Sequence, residues 1–175
     1  MKKITKPFSA EHALYYENYI NLVPQNESVL QQLKSNAKQI IALYKSISEN
    51  DLLYRYQTDK WSMKDILMHI IDVERVFIYR AMRFARKDKT PLPFFNENEF
   101  AIHANADSIK TNNLLKEYQT NRNASIQFLN NLTSQQYKTM GIASNCATSV
   151  RACAYIICGH ELHHLAVIRE RYLKE

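Results

Sequence analysis

His160 and His164 lie four residues apart in the stretch GHELHHLAVIRERY, with His163 between them. On an α-helix that spacing stacks two imidazoles about 6 Å apart along the axis, on one face. Two rings so placed can chelate one divalent ion, which is the geometry behind the H-E-x-x-H motif. The apolar stripe of this segment runs through Ala152 or Cys153, Ile156, His160, then His163 or His164, then Val167. The histidines therefore interrupt the buried face and do not sit opposite it. Spacing alone does not choose between His163 and His164 as the partner of His160.

His69 is the second half of the constellation. In WSMKDILMHIIDVERVF it follows Ile66 by three residues and precedes Val73 by four, so it faces inward on a different helix. Three inward imidazoles from two helices would form an open ligand set, with the fourth position left to water or substrate. A divalent ion on three neutral imidazoles keeps its full charge. It can lower the pKa of a coordinated water or hold a thiol as thiolate. Each histidine alone also has an ordinary reading as a hydrogen-bonded core residue.

Four long helices must position these rings. Apolar residues recur at steps of three and four from Ser28 to Ile47 and from Ser62 to Lys87, with Ser62 as N-cap and Asp65 near the capping-box position. On the second of these, Arg75, Arg80, Arg83 and Arg86 lie mostly off the stripe. A third helix is expected over 108–132 and a last one from Thr148 or Ser149 onward. A short helix from Ser9 to Leu22 precedes them, ended by Pro24. Pro91 and Pro93 make 88–98 the longest irregular stretch, of the kind that often borders a site. The pattern predicts an all-α four-helix bundle with a short extra N-terminal helix, one domain over 1–175.

Composition narrows the class. Two glycines and four prolines are few for an all-β chain, whose tight turns use both. Apolar residues at 46% and charged residues at 23% fit a globular protein and argue against disorder. Three cysteines without framework spacing read as free thiols in a reducing compartment, so the cytoplasm is the expected location. The N-terminus lacks the apolar core of a signal peptide, and no run is long enough to span a membrane. The net charge of +6 fits an acidic partner, but no nucleic-acid motif or basic arm accompanies it.

The segments KWSMKDILMHIIDVERVFIYRAMRFAR and GHELHHLAVIRERY together resemble the DinB/YfiT-like family of metal-binding four-helix bundles. YYENYINLVP and DKTPLPFFNENEF are similar to stretches of one branch of that family, so the resemblance covers nearly the whole chain. It implies a divalent metal, nickel or zinc, bound by His69, His160 and His164, with His163 as a neighbour. It also implies a metal-dependent thiol S-transferase or hydrolase, using a low-molecular-weight thiol on a small electrophile in a stress setting, and a homodimer. The alternative is a non-catalytic metal-binding or structural bundle; a nucleic-acid binder ranks third.

No general base stands out. Glu161 is about 100° around the helix from His160, away from the ion. Asp72 could orient the His69 ring, but a solvated aspartate is the plainer reading. Glu74 is expected to pair with an arginine on a helix flank. Tyr15, Tyr16 and Tyr19 could close the open end of the bundle, or simply pack a terminal helix. Cys153 and Cys158, about 140° apart on one helix, cannot both face one ion and are read as packing residues.

Overall fold

The computed structural model describes residues 4–174; the two lysines at positions 2 and 3 lie outside it. Nine elements follow in order: α1 (Glu17–Leu22), α2 (Val29–Ser46), α3 (Met63–Ala85), α4 (Glu97–Ala104), α5 (Thr111–Asn131), α6 (Ser134–Tyr137), β1 (Met140–Ala143), β2 (Cys146–Ser149) and α7 (Val150–Val167). Short 3-10 turns and a final π-helical stretch, Ile168–Leu173, complete the path. Among the described residues no helix is long and apolar enough to cross a membrane.

Three of the four long helices start where the sequence signals them; α5 starts at Thr111 and not at Ser108, after a 3-10 turn over Ala106–Ser108. The Ser62 hydroxyl accepts from the Asp65 amide and the Asp65 carboxylate accepts from the Ser62 amide, both at 3.0 Å. Ser28 and Ser149 cap α2 and α7 through Gln31 and Ala152. In the bundle, α3 packs on α5 and α7, and α2 packs on the same two helices. Each long helix thus has two neighbours, with α2 diagonal to α3 and α5 diagonal to α7. The chain crosses the bundle twice, unlike a simple up-and-down bundle.

Three expectations need correction. The N-terminal helix shrinks to Glu17–Leu22; two 3-10 turns, Ser9–Glu11 and Leu14–Tyr16, precede it. The irregular stretch, expected over 88–98, ends at Asn96, whose side chain caps α4; that helix is ended by Asn105 at φ 49°. A β-hairpin precedes α7, with Ser144 and Asn145 at φ 52° and 62° in its turn. Both positive angles match the twist of a two-residue hairpin turn.

The apolar core falls into two clusters. One gathers residues such as Leu33, Val73, Ile126 and Cys158; the other gathers Ala37, Ile71, Tyr118 and Leu165. On every long helix the change of cluster falls beside buried polar residues: Asn36, Glu74, Arg122, and His160 with Glu161. Arg122 on α5 organises that layer. Its guanidinium reaches Glu74 of α3 at 3.0 Å, Glu161 of α7 at 2.8 Å and the Leu33 carbonyl of α2 at 2.8 Å. Glu74 does pair with an arginine, but in the interior and not on a flank.

At Gly159 an added Cβ would meet the Tyr19 carbonyl oxygen at 1.8 Å. The lack of a side chain there lets α1 lie directly on α7, beside His160.

Replacing Arg122 with Met should cost about 3–5 kcal/mol of unfolding free energy, because two buried carboxylates lose their counter-charge. The triple change Arg122→Met/Glu74→Leu/Glu161→Leu should restore much of that loss. Urea unfolding midpoints of the two variants test this; a single variant as stable as wild type would contradict it.

Candidate metal centre

His69 comes from the N-terminal half of α3, and His160 and His164 from the C-terminal half of α7. These two helices pack against each other, so the rings meet across their contact. The His160 Nε2 lies 3.0 Å from the Nε2 atoms of both His69 and His164. One ligand nitrogen from each residue falls within 4.8 Å of the others. Nitrogens bound tetrahedrally at 2.0–2.1 Å are about 3.3 Å apart, so small ring shifts would admit an ion. His163 stays outside this set and packs its ring beside His164.

The donor set fits a divalent cation chemically. Burial lowers the pKa of His69 to about 4. Burial, and then the neighbouring imidazoles, drive His160 and His164 well below the ordinary value. All three are therefore neutral at pH 7, the state that binds metal. Three neutral imidazoles turned nitrogen to nitrogen cannot all satisfy one another, since each carries one N–H. The Nδ1 of His164 is buried with no hydrogen-bond partner, a further sign of polar capacity that the protein alone does not use.

Aromatic residues hold the rings in place. Trp61 stacks at a tilt on His69 with centroids 4.6 Å apart, and the Tyr19 ring stands edge-on to His160 and His163 at 5.4 Å each. Tyr172, in the π-helical stretch, donates to the Trp61 carbonyl at 2.6 Å. A cavity of about 350 Å³ opens above the imidazoles, walled by Tyr16, Tyr19, Trp61, Phe77 and Phe95. Its volume and apolar lining fit a small-molecule site. Tyr15, Tyr16 and Tyr19 all reach it, so the N-terminal segment both packs and walls the site.

The remaining candidates fall elsewhere. Asp72 meets Arg75 at 3.4 Å and does not orient His69; partial burial raises its pKa. Glu161 is taken up by Arg122 and by the Tyr118 hydroxyl at 2.5 Å. Cys153 and Cys158 are buried free thiols, and burial pushes Cys153 up to about 12 and Cys158 higher still. Neither is a thiolate nucleophile at neutral pH.

Arg80 is the residue that the sequence reading misses. It is buried and lines the cavity together with Phe95 and Ser144. A signal for it existed. Eleven residues turn an α-helix by three full turns and about 20°, so Arg80 shares the face of His69. Periodicity assigns a charged residue to solvent by default, and that default hid it.

A family model for the DinB superfamily matches residues 32–168, and the chain belongs to that superfamily. Among solved structures, YfiT from Bacillus subtilis matches with a TM-score of 0.69 at 16% identity, over 97% of this chain and 93% of that one. That protein is described as "a probable metal-dependent hydrolase with an unusual four-helix bundle topology". At this identity the likeness shows the fold. No curated protein matches the sequence.

The buried imidazoles make stability depend on pH. A histidine whose folded pKa lies below its unfolded value of 6.5 binds fewer protons folded than unfolded, so stability falls as pH drops from 6.5 toward about 4. Each such group adds a slope of about 1.4 kcal/mol per pH unit within that window. Metal-free wild type should therefore lose urea resistance on acidification more steeply than a His69→Phe variant. Equal slopes would contradict the assignment.

Proposed function

We propose that this DinB superfamily member binds one divalent ion, nickel or zinc, through His69, His160 and His164. We further propose that it acts with that ion as a metal-dependent thiol S-transferase or hydrolase on a small electrophilic substrate. The observation that carries the reading is the convergence of three neutral ring nitrogens at the floor of an open, aromatic-walled cavity. When bound, the ion would supply Lewis-acid activation of a water or a low-molecular-weight thiol.

The chain's own residues supply the rest. Tyr19 and Trp61 fix the ring planes, and Phe77 and Phe95 keep bulk water from a bound substrate. Glu161 orients α7 through Arg122 and is not free to move a proton at the centre. Free thiols at Cys146, Cys153 and Cys158 support a reducing, cytoplasmic setting.

A structural ion in a non-catalytic bundle is the second reading. Structural sites close around the metal with four protein ligands, whereas this centre gathers three and faces a cavity. Nucleic-acid binding finds less support. On α3, Arg75 and Arg83 pair with Glu117 and Asp88, and Arg80 is buried, so the helix presents no continuous basic stripe.

Metal content of protein purified without an affinity tag tests the centre, beside a His69→Ala/His164→Ala variant. About one equivalent of a divalent metal, lost in the variant, is expected. Conjugation of glutathione or cysteine to chlorodinitrobenzene then tests the chemistry. Metal-loaded protein should exceed metal-free protein by about tenfold or more, equivalent to about 1.4 kcal/mol of barrier. Equal rates would sink the transferase reading, and absence of metal after reconstitution would leave the histidines as buried polar residues.

A further inference from the structure

Arg80 is only 3% exposed, yet its partners are neutral. Its Nη2 donates to the Pro93 carbonyl at 3.0 Å and to the Ser144 hydroxyl at 2.9 Å. The guanidinium carbon lies 5.0 Å from the Phe77 ring centroid and 5.9 Å from that of Phe95. Tyr16 adds a hydroxyl contact. Among the described residues no carboxylate pairs with Arg80, whereas Arg55, Arg75, Arg83, Arg122 and Arg151 each meet one. Glu97 also lines the cavity but is exposed.

A buried cation without a counter-charge is costly, and a guanidinium that also walls a cavity offers donors to whatever enters. A guanidinium carries five N–H donors; the two on Nη2 go to Pro93 and Ser144, which leaves donors on Nε and Nη1 for Tyr16 and an anion. One buried cation matches one negative charge. The apolar walls beside it suit an apolar or aromatic body.

We propose that Arg80 is the anion-recognition residue of this cavity and that the substrate is a small monocarboxylate with an apolar body. The carboxylate accepts from guanidinium N–H groups of Arg80 other than the two on Nη2, the body lies against Phe77 and Phe95, and the reacting end faces the three imidazoles. This deepens the functional reading above and rests on it for the role of the reacting end. Arg80 binding of the carboxylate does not itself require the metal.

Calorimetric titration of the full chain, metal-free and zinc-loaded, with phenylacetate and with its neutral counterpart phenylacetamide tests the inference. Metal-free wild type should favour the carboxylate by about tenfold or more, since the amide leaves the guanidinium without a counter-charge. Arg80→Gln should abolish the preference. Arg80→Lys should keep part of it, because an ammonium retains the charge and loses the planar guanidinium's bonds to Pro93 and Ser144 that hold it in place. If Arg80→Gln does not fold, the wild-type pair and Arg80→Lys still decide. Equal affinities in wild type, no binding of either probe, or a preference unchanged in Arg80→Gln would overturn the inference. So would a preference seen only with zinc and surviving Arg80→Gln, which would put the carboxylate on the ion. Zinc uptake measured on the same samples separates the two readings. Stoichiometric uptake without discrimination defeats the Arg80 role alone; discrimination without uptake defeats the metal reading alone.

Discussion

One guanidinium ties the bundle together. Arg122 is fully buried on α5 and bonds to carboxylates on α3 and α7 and to a carbonyl on α2, so all four long helices meet at a single side chain. Apolar packing is permissive about helix rotation; a hydrogen-bonded charge pair is not. Glu161 is held by that pair, and His160 is its immediate neighbour in the chain. A turn of α7 that carried His160 and His164 away from His69 would also break Glu161 from Arg122. The geometry of the three imidazoles is therefore set from behind, by a charge cluster that does not touch them in hydrogen bonds.

The sequence made legible what depends on local periodicity. The stripes of α2, α3 and α5 and the inward placement of His69 and His160 follow from steps of three and four, and the Ser62 cap from its capping pattern; the choice of His164 over His163 came only with the family resemblance. What stayed hidden depends on contacts distant along the chain. Arg122 sits 48 residues from Glu74 and 39 from Glu161, and nothing within α5 announces that its arginine is interior. Charged residues are rarely buried, so the default reading is correct on average and fails at Arg80, Arg122 and Glu74. The hairpin was missed because Ser144 and Asn145 adopt positive φ without a glycine to signal the turn. Helix α4 has only eight residues, too few for a stripe.

The site and the core make opposite demands. Burial keeps the imidazoles neutral, but it also strands polar atoms such as the His164 Nδ1 in apolar surroundings. Aromatic residues mediate between the two. Trp61 and Tyr19 each pack a ring against an imidazole, and the Tyr19 hydroxyl lies 3.5 Å from that of Tyr15. The bundle thus carries its polar residues as a layer through the middle, with an apolar cluster on either side.

The close seating of Tyr19 against Gly159 bears on the order of events in folding. Neighbouring contacts join equally remote parts of the chain: Tyr155 reaches the Ile4 carbonyl across 151 residues, and Arg151 reaches Glu11 across 140. His69 and His160 are themselves separated by 91 residues. Closing such long loops is entropically unfavourable until most of the structure is in place, so these contacts form late. The imidazole cluster is a product of finished folding and not a nucleus for it. A partly folded chain offers an incoming ion the His160/His164 pair of α7 alone, and three rings together only once α3 and α7 have met.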